Sequence, residues 1–327
     1  MRQIKEIIFI GSGNWGLALA SLFSRNRPTR VWTINPDLAN QINANRDCPG
    51  DFYKCALPES IVVEEKYTCA FDEDSTLFIM AVPSSQVGNA AAELGKRTTR
   101  PVVVSVSKGF DARRQCTMSE LIKHHIPNAS VIVLTGPTIA NEVAAGLPTR
   151  AVLAGDDLMH LAMVKETLSN DVISFEVGRN PSHHEICAAL KGLVAIAVGT
   201  AEGLGLGANI QGILMTEGIH ELGVVASFFG IPQHIAHGIS GAGDLITTCI
   251  SADSRNRRLG QALADGLTLD EALAKVKMTV EGVAMSQTIE TLWSLDVSIP
   301  LIHMINGVLL GKSKDIRTEL NDVIAAI

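Results

Sequence analysis

A glycine-rich turn near the start of the chain constrains the fold more than any other sequence feature. The apolar run Ile7–Ile10 leads into the pattern G-x-G-x-x-G and then into an alanine- and leucine-rich stretch at Leu17–Phe23. In such a strand–turn–helix, Gly11 permits a tight turn, Gly13 lets the backbone approach a pyrophosphate, and Gly16 allows close packing of helix on strand. Free N–H groups and the positive dipole at the start of the helix favour phosphate groups. The turn therefore predicts a Rossmann-type unit that binds a dinucleotide.

The first half of the chain continues this alternation of short apolar runs with helical patterns, which is typical of βαβ units around a parallel sheet. Buried parallel strands have continuous apolar runs of this kind. Further strands are predicted at Arg30–Thr33, Leu77–Val82, Val102–Val106 and Val131–Leu134, with two more β-branched runs that extend the sheet at Ala151–Ala154 and Val172–Phe175.

The pattern becomes helical after about Gly178, and few strand signals follow. The predicted helices are Ile186–Ala201, Ile210–Phe229 and Leu269–Leu295. A chain of 327 residues is long enough for about two domains. We therefore predict an α/β protein, with an N-terminal Rossmann domain over residues 1–180 and a C-terminal all-helical domain over residues 181–327. The Rossmann domain is expected to be a doubly wound, mostly parallel sheet.

Composition and charge exclude several classes of protein. Hydrophobic residues make up 46% of the chain and charged residues 19%, which excludes intrinsic disorder. Aromatic residues are only 4%, so stacking platforms for single-stranded nucleic acid are not expected. The formal net charge of -7 argues against binding to duplex phosphates, although a few local cations can still bind a small phosphorylated ligand. No nucleic-acid partner is predicted.

The sequence predicts neither a disulfide framework nor a metal site. Its six cysteines are scattered without a C-x-x-C pair, which indicates reduced thiols in a cytoplasmic protein. The run His183-His184-Glu185 lacks the H-E-x-x-H spacing, so a helix N-terminal surface is the favoured interpretation over a metal site. Charged residues and glycines break the long uncharged runs after Ile186, so no membrane span is predicted.

The tip of the second strand should distinguish NAD from NADP. An acidic residue there binds the ribose of NAD, and a basic one accommodates the 2′-phosphate of NADP. This chain has Thr33-Ile34-Asn35-Pro36-Asp37, with neither a clear carboxylate nor an arginine at the expected place. The sequence therefore leaves the choice of nucleotide open.

Lys108 is the cation in the loops that follow the other predicted strands. The carboxyl ends of parallel strands converge on one crevice, and the loops there contain Pro83-Ser84-Ser85, Ser107-Lys108-Gly109 and Thr135-Gly136-Pro137-Thr138. Lys108 is therefore either a partner for a phosphate or substrate, or a solvated loop lysine.

Three features of the helical half could carry chemistry. Lys191 is the sole charged residue from Ile186 to Ala201, so it either extends along the apolar surface to water or is held for proton transfer. Asp244 follows a glycine turn and is either a helix cap or a functional carboxylate. The arginines of the run Ser254–Arg258 either bind a phosphate group or form a solvated basic face.

Taken together, these segments resemble the NAD(P)-dependent sn-glycerol-3-phosphate dehydrogenase family, over nearly the whole chain from Ile8 to beyond Glu281. The motifs are GSGNWGLALA at 11–20, VSKGF at 106–110, GPTIANEVAAGLPT at 136–149, ALKGLVAIAVGTAEGLGLGAN at 189–209, GAGDLITTC at 241–249, SRNRR at 254–258 and VEG at 280–282. The resemblance implies a nucleotide-binding domain, a helical substrate domain and a cleft between them. It also implies reversible hydride transfer between NAD(P)H and dihydroxyacetone phosphate, a step that feeds glycerophospholipid synthesis.

The resemblance further implies the site residues, with NAD or NADP as cofactor, a small phosphorylated substrate and a homodimer. Lys191 matches the catalytic lysine that protonates the carbonyl oxygen, and Asp244 matches the carboxylate that holds this lysine. The implied substrate contacts are Lys108, Gly136, Thr138, Thr248, Ser254, Arg255 and Asn256. The implied cofactor contacts are Gly11, Gly13, Asn14, Trp15, Gly16, Lys108, Ala140, Arg255 and Glu281.

Three positions depart from the family's pattern. Gly192 replaces an asparagine, Glu217 stands where arginine is usual, and Ile34 replaces a basic residue near the adenosine. One alternative function is therefore reduction of another small phosphorylated or phosphonate ketone. A second alternative, from a different class, is a protein that senses NAD(P) without catalysis. Loss of the Lys191/Asp244 pair would indicate that class, and both residues are present.

Overall fold

The computed structural model describes residues 3–46, 57–65, 70–277, 280–292, 297–312 and 315–326. The chain divides into two compact units. The sheet unit contains residues 1–107 and 117–182, and the helical unit contains residues 108–116 and 183–327. Residues 108–116 thus leave the sheet unit and belong to the helical unit, which no sequence pattern predicted. The division of functions between residues 1–180 and 181–327 stays a prediction.

The sheet unit is built on eight strands, among the residues that the structure describes. They are β1 (Glu6–Ile10), β2 (Thr29–Thr33), β3 (Ile61–Glu65), β4 (Thr76–Met80), β5 (Val102–Ser105), β8 (Ser130–Thr135), β9 (Thr149–Gly155) and β10 (Ile173–Gly178). A separate short pair is formed by β6 (Phe110–Asp111) and β7 (Cys116–Thr117).

The strand order is β10-β9-β8-β5-β4-β1-β2-β3. The described strand pairs are parallel except β8–β9, which is antiparallel. This confirms the predicted doubly wound, mostly parallel sheet, whose order reverses next to β1. The edge strand β3 was not predicted, because its residues alternate between buried and exposed and end in two glutamates, unlike the continuous apolar runs of the central strands.

Six helices of the sheet unit connect these strands, within the described ranges. They are α1 (Asn14–Phe23), α2 (Pro36–Asn45), α3 (Ser84–Gly95), α4 (Met118–His125), α5 (Ala140–Ala144) and α6 (Leu158–Leu168). The predicted helix at Leu17–Phe23 is confirmed and begins earlier, directly after Gly13. Its alanine and leucine side chains are buried against the sheet, so β1, the glycine turn and α1 pack together.

The helical unit contains ten α-helices in the part of the chain that is described, and the first two residues of α7 still belong to the sheet unit. They are α7 (Pro181–Ala189), α8 (Lys191–Gly203), α9 (Gly207–Phe228), α10 (Gln233–Ala236), α11 (Asp244–Ile250), α12 (Arg255–Ala264), α13 (Leu269–Val276), α14 (Glu281–Leu292), α15 (Pro300–Leu309) and α16 (Ile316–Ala326). A π-helical turn at Ile239–Gly243 precedes α11.

The predicted single helix at Leu269–Leu295 is wrong. α13 ends at Val276, where Lys277 adopts a left-handed backbone with φ 57°, and α14 begins at Glu281. A left-handed residue at a helix C-terminus stops the helical hydrogen-bond ladder. The last predicted residues of this helix, 293–295, lie outside the described residues.

Two helices of this unit approach each other through glycines. A Cβ atom at Gly199 of α8 would lie 2.0 Å from the carbonyl oxygen of Arg257 in α12. A Cβ atom at Gly260 of α12 would lie 2.1 Å from the carbonyl oxygen of Ile196. Only glycine permits main chains to come this close. The contact fixes the start of α12 relative to α8.

The stretch Pro181–Gly203 is long and apolar enough to cross a membrane by length and composition alone. In its most apolar 18-residue window, 78% of the residues are buried inside the protein. Burial of this kind is typical of the core helix of a globular domain, and α8 lies in the centre of the helical unit's hydrophobic core.

Candidate active site

Two lysines of the helical unit share one buried carboxylate. Nζ of Lys191 lies 2.5 Å from Oδ1 of Asp244, and Nζ of Lys108 lies 2.7 Å from Oδ2 of the same residue. The exposed side-chain fractions are 9% for Lys191, 15% for Lys108 and 2% for Asp244. The structure therefore excludes the alternatives that Lys108 is a solvated loop lysine and that Lys191 extends to water.

Each member of this cluster is positioned by a helix end or a short loop. Lys191 is the first residue of α8, and Asp244 is the first residue of α11. The carboxylate of Asp244 binds the lysines rather than capping its helix, because α11 follows the π-helical turn without a side-chain cap. The segment after β5 places Lys108 on the other oxygen.

The two lysines differ in how firmly they hold a proton. Burial lowers the pKa of Lys191 to about 8, helped by repulsion from Lys108 and opposed by attraction to Asp244 and Glu281. Burial also lowers the pKa of Lys108, but attraction to Asp244 and Glu281 outweighs it and raises the pKa above its usual range. The cluster thus pairs one firmly charged ammonium with one that can release a proton near neutral pH.

Gly192, Asn256 and Gly282 meet beside this cluster. The N–H of Gly282 donates to Oδ1 of Asn256 at 2.9 Å. A Cβ atom at residue 192 would lie 3.0 Å from both Cα and N of Gly282, and 3.2 Å from Oδ1 of Asn256. A side chain at position 192 would therefore meet the main chain of α14 rather than open space. The same contact holds Glu281 at the start of α14.

The start of α12 contains the predicted arginine cluster. Ser254 caps the helix, since its Oγ accepts from N–H of Arg257 at 3.3 Å. Arg257 forms a two-point ion pair with Glu202, with distances of 2.7 Å from Nε and 2.6 Å from Nη2. Arg257 thus has a structural partner, while Arg255 is half-buried at the first position of the helix. The arginine run is therefore neither a phosphate site nor a solvated basic face throughout.

Thr248 lies one turn after Asp244 on α11. Its Oγ1 donates to the carbonyl oxygen of Asp244 at 2.6 Å. The hydroxyl therefore supports the local turn, and its oxygen can still accept a hydrogen bond.

In the sheet unit, the glycine turn has the geometry that the pattern predicts. Gly11 adopts φ +116°, and a Cβ there would lie 2.5 Å from the carbonyl oxygen of Ala81. A Cβ at Gly16 would lie 2.8 Å from the carbonyl oxygen of Gly11. Over Gly13, no described atom lies within 4 Å of a Cβ position, so the backbone is open to a ligand. Asn14 and Trp15 follow at the start of α1, both half-buried.

The other predicted contacts of this unit lie after β8. Gly136 adopts φ +119°, and its carbonyl accepts from Oγ1 of Thr138 at 3.0 Å. Ala140 is the first residue of α5. At the end of β2, Oγ of Ser12 donates to Oγ1 of Thr33 at 2.9 Å, and Ile34 is 75% exposed.

The predicted surface at His183-His184-Glu185 is wrong for two of its residues. His184 and Glu185 are buried in α7, and Nδ1 of His184 is hydrogen-bonded to Oγ of Ser240. Among the described residues, no group of three His, Cys, Asp or Glu side chains is arranged to hold a metal ion. The His184–Ser240 contact was missed because no sequence spacing links residues so far apart.

Comparison with known proteins identifies the family. Residues 6–161 match the N-terminal domain described as NAD-dependent glycerol-3-phosphate dehydrogenase N-terminus, and residues 182–318 match the corresponding C-terminus. The chain belongs to the NAD-dependent glycerol-3-phosphate dehydrogenase family. The resemblance inferred from the motifs is therefore confirmed.

Curated relatives of the family support this assignment over the full length. The chain is 34% identical to glycerol-3-phosphate dehydrogenase (NAD(P)+) of Fusobacterium nucleatum, covering 98% of this chain and 96% of the relative. It is 34% identical to the enzyme of that name from Halorhodospira halophila, covering 93% and 92%. The crystal structure of glycerol-3-phosphate dehydrogenase from Coxiella burnetii matches with a TM-score of 0.90 and 26% identity, covering 98% of this chain and 99% of that one.

Proposed function

We propose that this protein reduces dihydroxyacetone phosphate to sn-glycerol 3-phosphate, with NADH or NADPH as the hydride donor, and catalyses the reverse oxidation. The observation that carries the proposal is the buried Lys108–Asp244–Lys191 cluster in a member of this family. Reduction of a ketone needs a proton at the carbonyl oxygen as hydride reaches the carbon. Lys191 can deliver it, because a lysine with a pKa of about 8 is mostly protonated at pH 7 and still releases its proton readily.

The glycine turn suits a dinucleotide. The open backbone at Gly13 lets a pyrophosphate approach, and within the described residues no side chain caps α1, so its first N–H groups are available to phosphate. In the sheet unit, the proposed nucleotide contacts are Gly11, Gly13, Gly16, Asn14, Trp15 and Ala140. For Lys108, Arg255 and Glu281, a role as nucleotide contacts rests on the family resemblance alone. When bound, the nicotinamide supplies the hydride.

Lys191 holds the proton that moves. In its charged form it donates to the carbonyl oxygen of the substrate, and in the reverse direction the neutral amine accepts a proton from the hydroxyl. Asp244 keeps the ammonium in place through the 2.5 Å contact and stabilises its charge. Lys108 stays charged on the other carboxylate oxygen, and its positive charge favours binding of the phosphorylated substrate.

The phosphate of the substrate is bound by the start of α12. Arg255 presents a guanidinium that is half-buried and is suited to two-point binding of phosphate oxygens. Asn256 keeps its Nδ2 group as a donor, since Oδ1 is engaged by Gly282. Thr248 and Ser254 complete the proposed substrate contacts of the helical unit, and Ser254 is also the helix cap. For Gly136 and Thr138, a role as substrate contacts rests on the family resemblance alone.

A steady-state screen tests the proposal. The purified protein is assayed for oxidation of NADH and of NADPH with dihydroxyacetone phosphate and with several other phosphorylated and phosphonate ketones. We expect turnover with dihydroxyacetone phosphate and a loss of roughly 100- to 10,000-fold in kcat for Lys191→Ala. Turnover of another ketone alone would assign a divergent reductase, which the substitutions Gly192 and Glu217 would then explain. Nucleotide binding without turnover of any ketone would assign a sensor.

A homodimer, which the family resemblance implies, and a cytoplasmic location, which the scattered cysteines indicate, both stay predictions. Sedimentation equilibrium of the purified protein tests the first, and fractionation of the source cells tests the second.

A further inference from the structure

A buried hydrogen bond joins α7 to the turn that carries Asp244. Nδ1 of His184 lies 2.7 Å from Oγ of Ser240. His184 is 6% exposed and Ser240 is 1% exposed. None of the roles proposed above uses either residue. A polar pair enclosed this completely is held strongly, because neither group can exchange its partner for water.

Ser240 belongs to the π-helical turn Ile239–Gly243, whose next residue is Asp244. This turn is a departure from regular helix, and π-helical turns often occur at functional sites. It is packed tightly, since a Cβ at Gly241 would lie 2.0 Å from the carbonyl oxygen of Ala236. The N–H of Gly243 donates to the carbonyl of Gly238 at 3.1 Å, which closes the turn. The direction in which Asp244 leaves the turn therefore depends on how the turn is anchored.

We propose that the His184–Ser240 hydrogen bond anchors this turn and makes both residues positioning residues for Asp244. The bond holds the turn on α7, and the helix that follows begins at Asp244. The carboxylate then meets both lysines at once, at 2.5 and 2.7 Å. The inference rests on the proposed function, because it assigns the residues a part in proton delivery by Lys191.

The anchor keeps one charge state over the working pH range. Burial lowers the pKa of His184 to about 4, with further lowering from His183 on the same helix and His234 on α10. The imidazole is therefore neutral at pH 5 and above, where one ring nitrogen donates and the other accepts. Ser240 can complement either form at Nδ1, so the bond persists across an activity profile measured at neutral and alkaline pH.

Loss of the anchor has a consequence that a purely structural bond would lack. Attraction to Asp244 raises the pKa of Lys191 against the effect of burial. A turn that is free to shift lets the carboxylate move away from the ammonium, and the pKa of Lys191 then falls. The alkaline limb of kcat/KM for ketone reduction reports this pKa in the free enzyme.

The experiment compares four full-length variants with the unmodified protein. Ser240→Ala and His184→Leu remove the hydrogen bond. His184→Asn keeps it, because the side-chain amide of asparagine can take the position of Nδ1 and bond to Oγ of Ser240. Ser286→Ala is the matched control, since Ser286 is also 1% exposed but its Oγ bonds to Val283 within α14. For each, kcat/KM for reduction is measured from pH 6 to 10, and the melting temperature is recorded.

We expect the alkaline limb to move to lower pH by about half a unit or more in Ser240→Ala and His184→Leu. In His184→Asn and Ser286→Ala, we expect the alkaline limb of kcat/KM at the same pH as in the unmodified protein. A lower melting temperature with an unmoved limb in Ser240→Ala would overturn the inference, and so would a moved limb in His184→Asn. If His184→Leu does not fold, the comparison of Ser240→Ala with His184→Asn still tests whether the hydrogen bond positions Asp244. An inactive unmodified protein would instead overturn the proposed function.

Discussion

Lys108 and Lys191 donate to opposite oxygens of a single carboxylate, that of Asp244, at 2.7 and 2.5 Å. One negative charge faces two ammonium groups, and Glu281 supplies a second attraction from the start of α14. The sharing is unequal, because the pKa of Lys108 is raised and that of Lys191 is lowered to about 8. The arrangement therefore suits the proposed division of roles, in which Lys108 holds a charge and Lys191 transfers a proton.

The direction of the reaction should determine the sign of its pH dependence. Reduction needs protonated Lys191, so kcat/KM for reduction should be flat below a pH of about 8 and fall above it. Oxidation needs the neutral amine, so kcat/KM for that direction should rise up to the same pH and then level off. Measurement of both profiles in the same buffers checks this. The opposite slopes are the key result, and parallel profiles would remove Lys191 from proton transfer.

Replacing Asp244 by asparagine should move both profiles. The substitution keeps the shape of the side chain but removes the attraction that raises the pKa of Lys191. The fall of the reduction profile and the rise of the oxidation profile should therefore both shift to lower pH. We also expect kcat to fall by about 10-fold or more, because the ammonium is no longer held. A variant with the limb unchanged would mean that Asp244 does not control this lysine.

Arg255 and Arg257 provide a matched pair of substitutions on one helix. Arg255→Ala should raise KM for the phosphorylated substrate by roughly 10- to 100-fold, and KM for the nucleotide much less. Arg257→Ala should instead lower the melting temperature, because it breaks the two-point ion pair with Glu202. Steady-state kinetics and thermal unfolding on both variants check the assignment. Equal increases in both KM values for Arg255→Ala would contradict the prediction that Arg255 binds mainly the substrate phosphate.

The glycine contact between α8 and α12 predicts a large effect on stability. Gly199→Ala should lower the free energy of unfolding by about 2–3 kcal/mol, because the new Cβ would lie 2.0 Å from the carbonyl of Arg257. Gly212→Ala on α9 is the control, since no described atom lies within 4 Å of its Cβ position. That variant should gain up to about 1 kcal/mol from the better helix propensity of alanine. Urea unfolding measures both, and equal values would show that α8 and α12 can separate freely.

Glu221 predicts a pH dependence of stability. This fully buried carboxylate on α9 accepts from the N–H groups of Leu301 and Ile302 at the start of α15, at 2.6 and 2.9 Å. Burial raises its pKa to about 7, against these hydrogen bonds and with help from Glu217. The folded state therefore binds more protons than the unfolded state between pH 4.5 and about 7, and stability falls as pH rises through this window.

Glu221→Gln should flatten that slope. Between pH 5 and pH 8, the unmodified protein should lose on the order of 2–3 kcal/mol of unfolding free energy relative to the variant. Urea titrations at several pH values measure the difference. Parallel curves would mean that Glu221 ionises in the folded protein as readily as in the unfolded chain.

The asparagine that the family resemblance leads us to expect at position 192 should not fit there. Gly192→Asn would bring a Cβ to 3.0 Å from the main chain of Gly282, so we expect a lower melting temperature, by about 4 °C or more, and a raised KM for the ketone. Gly212→Asn, with open space around it, controls for the effect of asparagine in a helix. A Gly192→Asn variant with unchanged stability and KM would show that α14 yields at this point.

The sequence predicted those parts of the structure that depend on local patterns. The turn at Gly11 was predictable because a strand, three spaced glycines and a helix follow each other directly. The central strands were predictable because burial on both faces requires continuous apolar runs. The motifs also carried the family resemblance, and with it the pairing of Lys191 and Asp244.

Features that depend on distant contacts were not predictable. The stop at Lys277 requires a left-handed residue that is not a glycine, which leaves no signal in the sequence. The His184–Ser240 bond joins two ordinary residues of separate elements. The occupation of the space beside Gly192 by the main chain of Gly282 is equally invisible, because neither residue has a side chain to form a pattern.

The discontinuous make-up of the helical unit bears on how the chain emerges from the ribosome. Residues 108–116 are synthesised in the middle of the sheet unit, well before the helices with which they pack. Domains generally fold in the order of synthesis, so the sheet unit can fold while this segment still lacks its neighbours. Lys108 can form its ion pair with Asp244 only after translation has passed residue 244. The nascent chain can therefore form the Lys108–Asp244–Lys191 cluster only when most of the protein has been made.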